Sequence, residues 1–154
     1  MRILRLKGKR LSRYLPEALA LHRKVLGPLS QRRLRSVLRG RPRKLLLVAL
    51  VQGRVVGYKF GYEERPGRFY SWIGGVDPDF RRRGIARALM ARQHRLLERA
   101  GFRTVRSQTR NRYPGMLILS ILSGFEIIGT LAGPETRIVL EKKLGRSPAL
   151  DGQS

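Results

Sequence analysis

The chain has 154 residues, 42% of them hydrophobic, with 5 Phe, 5 Tyr and 1 Trp; that suffices for one domain with its own core and is short for two, and it argues against disorder. There is no cysteine and there are only two histidines, His22 and His94, which excludes disulfides, thiol catalysis and thiolate metal sites and leaves too few ligands for a zinc cluster. Thirty-four Lys+Arg against 10 Asp+Glu give a formal charge of +24, a field that favours nucleotides, phosphorylated cofactors, nucleic acid or acidic proteins, although an arginine-rich compositional bias accounts for the same number.

Arg2–Lys7 alternates apolar and basic residues and predicts a first strand. Leu11–Val25 carries Leu11, Leu15, Ala18, Leu19, Leu21 and Val25 at helical spacing, with Ser12 as N-cap and Gly27-Pro28 as stop. Leu29–Leu38 predicts a second amphipathic helix, closed by Gly40 and Pro42, whose outer face (Arg32, Arg33, Arg35, Arg39) reads as a solvated basic surface. Three strands then follow on short connections: apolar Leu45–Val51, the turn Gln52-Gly53, Arg54–Tyr62, the loop Glu63–Gly67, and Arg68–Val76, an antiparallel meander. A helix from Gly84 to Ala100 puts Ile85, Leu89, Leu96 and Ala100 on one face and stops at Gly101. On that reading His94, between Arg92 and Arg95, faces solvent. Arg103–Thr109 is a strand, Pro114–Ser123 an apolar helix closed by Gly124, and Phe125–Leu131 with Thr136–Leu140 a final strand pair around Gly133-Pro134. The order β-α-α-β-β-β-α-β-α-β-β gives one α/β domain over 1–143 with a single mixed, mostly antiparallel sheet. Residues 144–154 are small and polar and read as a flexible tail. No apolar run approaches the ~20 residues of a membrane span and the N-terminus lacks a signal-peptide apolar block, so a cytoplasmic protein without a metal or membrane partner is expected.

The informative stretch is Gly74-Gly75-Val76-Asp77-Pro78-Asp79-Phe80-Arg81-Arg82-Arg83-Gly84-Ile85-Ala86. A strand runs into a basic, glycine-bearing loop that opens a helix, and helix N-termini offer free amides and a partial positive charge to phosphate. Gly84 allows close backbone approach and Ala86 keeps the first turn uncrowded. The GxxxxGK[ST] spacing of a Walker loop and the GxGxxG of a dinucleotide fold are both absent.

Arg81-x-x-Gly84-x-Ala86 after a strand ending Val76-Asp77-Pro78 resembles the acyl-CoA signature of the GNAT superfamily of N-acetyltransferases. Thr109-Arg110-Asn111, followed by a helix running into Ser123-Gly124-Phe125-Glu126, resembles the family's later segment, so the likeness spans roughly 2–143. The resemblance implies a GNAT-like fold in which the strands ending at Val76 and near Asn111 splay apart. It implies that Gly74, Gly75 and Val76 hold the pantetheine arm of acetyl-CoA, the amides of Arg81, Arg82, Arg83, Gly84, Ile85 and Ala86 its pyrophosphate, and Asn111 a polar contact. Gly74-Gly75 also reads as a simple bulge and Asn111 as a capping residue.

The reaction so implied is attack of a neutral amine, on a small molecule or on a protein or peptide, upon the thioester. It needs a base, an oxyanion donor and an acid for the thiolate. Relatives place a tyrosine four residues before the glycine of the later segment; here that position is Ser120, a poor acid, with Tyr113 upstream as a substitute. Where relatives carry a carboxylate before the asparagine, Thr104–Thr109 has none, which leaves Glu63 and Glu64 as candidate bases, each equally readable as a solvated loop carboxylate. Tyr62, Tyr70 and Trp72 read as acceptor-pocket lining or as core. A basic rim favours an anionic acceptor, and the fold is compatible with a homodimer. Two alternatives stand beside the enzyme: a non-catalytic acyl-CoA-binding module of the same fold, and a nucleic-acid-binding protein supported by charge alone.

Overall fold

A computed structural model describes residues 1–145. Seven strands form one sheet: β1 (Arg2–Arg5), β2 (Leu45–Val51), β3 (Arg54–Arg65), β4 (Arg68–Val76), β5 (Thr104–Arg110), β6 (Glu126–Leu131) and β7 (Arg137–Lys143). Four helices, α1 (Lys9–Leu26), α2 (Gln31–Gly40), α3 (Ile85–Arg99) and α4 (Pro114–Leu122), complete it. The spatial order is β1-β2-β3-β4-β5-β7-β6, antiparallel except where β4 meets β5. The mixed, mostly antiparallel sheet and the element order expected from the sequence are therefore present. The expected flexible tail falls, from residue 146 on, outside the described residues.

Strand β2 is buried along nearly its whole length, because both faces of the sheet are covered. Its period of two divides the interior into two cores. Leu45, Leu47 and Ala49 join Val56, Phe69, Leu89, Leu97 and Val105 in the core that includes α3 residues, whereas Leu46, Val48 and Leu50 join Tyr58, Phe60, Ala18 and Leu21 in the core that includes α1 residues.

Three boundaries differ from the sequence reading. Helix α1 starts at Lys9 after Gly8, so Ser12 lies inside it rather than capping it. Pro16, also inside, has no N–H to offer the carbonyl of Ser12 four residues back. Strand β3 runs on to Arg65, so Glu63 and Glu64 are strand residues rather than loop residues. Ser30, not a residue of the predicted Leu29 start, caps α2, its side chain accepting from the Arg33 amide at 3.3 Å.

The two histidines are buried, each about 5% exposed, against the expectation of a solvent-facing His94. Nδ1 of His22 lies 2.6 Å from the Tyr58 hydroxyl, and Nδ1 of His94 accepts from Lys142 Nζ at 3.0 Å. The buried side of α3 is Ile85, Leu89, Met90, Gln93, His94 and Leu97. The sequence pattern misses it because two polar residues sit on the inner face, where apolar periodicity cannot register them.

Candidate active site

Strands β4 and β5 are the only parallel neighbours in the described sheet, and their pairing is short. It runs from Arg68↔Thr104 to Ser71↔Ser107, although β4 continues to Val76 and β5 to Arg110. Beyond the Ser71–Ser107 pair the two strands part and open a V between them. On its other side β4 stays paired with β3 as far as Val76↔Gly57. A bulge contributes: Phe60 pairs Ile73 and Gly61 pairs Ser71, which leaves Trp72 as an extra residue in β4 at the crotch of the V. Bulges bend a strand and increase its twist. The open edges of β4 and β5 past the crotch carry backbone groups without a strand partner, a ready seat for an extended, amide-bearing chain.

Gly74, Gly75 and Val76 lie along this open stretch of β4. Gly75 has a packing reason of its own, since a Cβ there would stand 2.9 Å from the Tyr58 hydroxyl and 3.1 Å from its ring. Asp77 leaves the sheet with its amide bonded to the Val56 carbonyl at 2.8 Å and its carboxylate accepting from the Asp79 amide at 3.0 Å. That amide bond, assisted by Lys24 at 3.5 Å, holds the Asp77 carboxyl below the usual carboxylate range in spite of its burial.

Pro78–Phe80 forms a short 3-10 turn, and Arg81, Arg82, Arg83 and Gly84 follow, all exposed, before Ile85 opens α3. Gly84 is the N-cap with φ 76°, a left-handed conformation that favours glycine, and nothing lies within 4 Å of where its Cβ would be. Arg82 also has positive φ, 61°. The first turn of α3 contains no acidic residue, its amides have no helical acceptor, and the helix dipole adds a partial positive charge. Ile85 points inward and is buried while Ala86 is half-buried. A loop of exposed arginines before a helix N-terminus with free amides has the chemistry that suits an anion.

The four catalytic candidates separate in space. Ser120 is buried on α4, with its carbonyl accepting from the amides of Ser123 and Phe125, and α4 packs on β5. Tyr113 is the half-buried N-cap of α4, with the Arg112 guanidinium 5.1 Å from its ring. Asn111, in the turn after β5, is exposed. Glu63 is held by Arg43 at 3.0 Å, and Arg43 also stacks on Phe102 and bonds the Ala100 carbonyl, away from the V.

Glu64 is placed differently. One carboxylate oxygen accepts from Arg68 at 3.0 Å, and the other is buried without a partner. The residue lines two hollows, one of about 430 Å³ that Glu63 also lines, with Ser36, Arg41 and Arg65, and one of about 170 Å³ with Tyr70, Arg106, Ser107 and Gln108. The second reaches the crotch, because Ser107 is the last paired residue of β5. Tyr70 is the aromatic that the sequence left undecided between pocket and core. It stacks edge-on to Tyr62 at 5.7 Å while lining the smaller hollow. Burial, with Tyr62 and Glu64 beside it, pushes its phenol up, so it stays a protonated donor at neutral pH. Arg33 and Arg41 lie over Trp72 and Tyr62 at 5.6 and 4.8 Å, so cations already occupy these rings on the α2 side. Among the described residues no three His, Asp or Glu side chains gather in a way that could hold a metal, and no helix is long and apolar enough to cross a membrane.

A family model described as an acetyltransferase (GNAT) domain matches residues 42–115, a segment that runs from β2 through the arginine loop to the start of α4. Comparison with curated protein sequences gives no significant match. Among solved structures, the ribosomal-protein-S18-alanine N-acetyltransferase from Escherichia coli aligns at 20% identity and a TM-score of 0.80 over 97% of each chain. Ard1 from Thermoplasma volcanium aligns at 19% identity and 0.81, over 94% of this chain and 98% of that one. An acetyltransferase from Bacillus anthracis, solved in complex with acetyl coenzyme A, aligns at 18% identity and 0.62 over 69% and 65%. At these identities the likeness is one of fold, and it extends over the whole described sheet.

Proposed function

We propose that the chain is a GNAT-type acetyltransferase, a reading supported by the match of residues 42–115 to that domain model and by the shared fold, and that it transfers the acetyl group of acetyl-CoA to the amine of a small molecule or of a peptide, seated in the V between β4 and β5. The observation that carries this reading is the early end of the β4–β5 pairing at Ser71–Ser107, directly beside a helix N-terminus crowned by Arg81, Arg82 and Arg83. An open strand edge suits the amides of the pantetheine arm and the arginine loop suits a diphosphate, so one ligand satisfies both features. Gly74, Gly75 and Val76 would hold the arm, the amides of Arg81 to Ala86 the diphosphate, and Asn111 the edge of the groove.

Acetyl-CoA supplies an activated acyl group, and the chain supplies orientation and proton transfer. Glu64 is the preferred base. Its second oxygen is buried without a partner and the residue lines a hollow that reaches the crotch, where the carboxylate would accept a proton from an incoming ammonium, whereas Glu63 is engaged by Arg43. The Tyr70 phenol lines the same hollow and is a stronger candidate than Ser120 or Tyr113 for the proton that neutralises the departing thiolate. The guanidinium groups of Arg41, Arg65 and Arg106 around the two hollows favour an acceptor that carries an anionic group besides its amine, and they oppose polycationic amines.

The test is a panel of amines and peptides with acetyl-CoA, read as free thiol, on the native chain and on Glu64→Gln. Turnover on one acceptor, lowered about 10²-fold or more in Glu64→Gln with the thermal shift by acetyl-CoA intact, supports the assignment. No thermal shift at millimolar acetyl-CoA refutes the donor site. A shift without turnover on any acceptor favours a binding module of the same fold.

A further inference from the structure

The charge that the proposed chemistry does not use is concentrated on the outer face of α3. Arg92, Arg95 and Arg99 are all exposed and stand at i, i+3 and i+7, within one side of the helix. Arg103, also exposed, follows the turn at Gly101, its side chain lying by Gly67 and its amide bonded to the Gly67 carbonyl at 2.8 Å. The inner face of the same helix is buried in the core through Leu89, Met90 and Leu97, so the arginine line has a rigid base.

Ion pairs do not explain it. Those in the described residues draw on Asp77, Glu63, Glu64, Glu135 and Glu141, and their cations are Lys24, Arg43, Arg68, Arg106, Arg110 and Arg112. None of Arg92, Arg95, Arg99 and Arg103 lies within such a pair, and Glu98 is the one acidic residue of α3. Three guanidinium groups on one side of α3 and a fourth just after it thus stand without an ion-pair partner among the described residues.

We propose that this face of α3 is a docking surface for the phosphate backbone of a nucleic-acid duplex, bound without regard to sequence. Three features of the face select that partner. It lacks the exposed aromatic or aliphatic anchor around which protein interfaces concentrate their binding energy, since Ile85, Leu89, Met90 and Leu97 are buried and Leu96 is half-buried against the core. Its charges are arginines, whose planar fork suits phosphate oxygens. It is linear: Arg92 to Arg99 spans about 10 Å along the helix, and a duplex backbone presents a phosphate every ~3.4 Å of axis per strand, a charge density dense enough to serve long flexible arginine arms. The face is separate from the hollows around Glu64 and from the Gly84 loop, and the inference does not depend on the acyl-transfer reading.

Fluorescence anisotropy with a labelled 20-base-pair duplex tests it, titrated between about 50 and 200 mM salt. The native chain should bind, with an affinity that falls steeply as salt rises. Replacing all four residues (R92A, R95A, R99A, R103A) should weaken binding at least tenfold at 100 mM salt. It should also reduce the slope of log affinity against log salt by about 3 to 4, since each phosphate contact contributes ~0.9. A matched control removes four exposed arginines from α1 and α2 (R23A, R32A, R35A, R39A) and should change affinity less than about threefold. Cooperative thermal unfolding of both variants, without any ligand, reports that they fold. Equal losses in the two variants would show a diffuse field of the whole chain and overturn the proposal. So would absence of binding at 50 mM salt, or displacement of the duplex by a poly-glutamate peptide at equal charge concentration, which would point to an acidic protein partner instead.

Discussion

Gly75→Ala isolates the packing beneath the open end of β4. An added Cβ would sit 2.9 Å from the Tyr58 hydroxyl oxygen, 3.1 Å from Cε1 and 3.2 Å from Cζ. The ring cannot swing aside easily: Tyr58 is 1% exposed, bonded to His22 at 2.6 Å, and edge-on to both His22 and Phe60 at 5.6 Å. Overpacking of this kind costs about 1–3 kcal/mol. The smaller freedom of alanine in the unfolded chain returns about 0.4–1 kcal/mol. The net expectation is a loss of about 1–2 kcal/mol, or roughly 2–8 °C in Tm for a chain of this size. Thermal unfolding of Gly75→Ala, Tyr58→Phe and the double variant forms a cycle. Tyr58→Phe removes the atom at 2.9 Å and strands His22 Nδ1, at a cost of about 1–3 kcal/mol. Gly75→Ala should then cost about 0.5–1.5 kcal/mol less in the Tyr58→Phe background than in the native one. Equal costs in both backgrounds, or a stabilising Gly75→Ala, would refute the argument that Tyr58 is what requires glycine there.

Gly84→Val places a β-branched residue at φ 76°; Tm should fall by the equivalent of about 1–2 kcal/mol, and the thermal shift by acetyl-CoA should disappear. Lys59 is buried on β3 with its ammonium pKa pushed down to about 8 by desolvation, so the cost of burying the charge is fully present below pH 8 and fades between pH 8 and about 10.5. Lys59→Met should therefore raise Tm at pH 7, and by less at pH 10. Burial, with Lys142 and Lys59 nearby, lowers the pKa of His94 to about 3. Its depressed value means that the unfolded chain binds the extra proton first, so stability is lost as pH falls from about 6.5 toward 3, at no more than about 1.4 kcal/mol per pH unit. Urea unfolding at pH 7, 5.5 and 4.5 should show that decline, with a shallower slope in His94→Gln.

Much of this architecture is written in local pattern. The apolar run Leu45–Val51 reads as a strand between the Pro42 and Gln52-Gly53 breaks, and in the fold its alternation divides the two cores. Gly84 marks the start of α3 in the sequence, where the structure finds a left-handed N-cap, and the three arginines before it are legible as an exposed basic loop. The helix spacing also places Ile85 and Leu89 inward. Local pattern stops at polar residues: His94 and Gln93 lie on the same inner face of α3, yet their side chains carry no periodic signature, and burial there is decided by what α3 meets. The same holds for the two adjacent carboxylates. Glu63 and Glu64 are indistinguishable in sequence, and only the sheet turns one toward Arg43 and the other toward the hollow at the crotch. The crotch itself is a tertiary event. Nothing local in Arg68–Val76 or Thr104–Arg110 says that they pair at all, since parallel neighbours separated by a helix are brought together by the packing of α3. Their parting after Ser71 and Ser107 follows from a bulge at Trp72 that exists only against β3. The sequence alone determined the elements and their order, and its family resemblance implied that β4 and β5 part; the tertiary structure decided where their pairing ends and which carboxylate lines the hollow beside that end, because both depend on contacts between segments far apart in the chain.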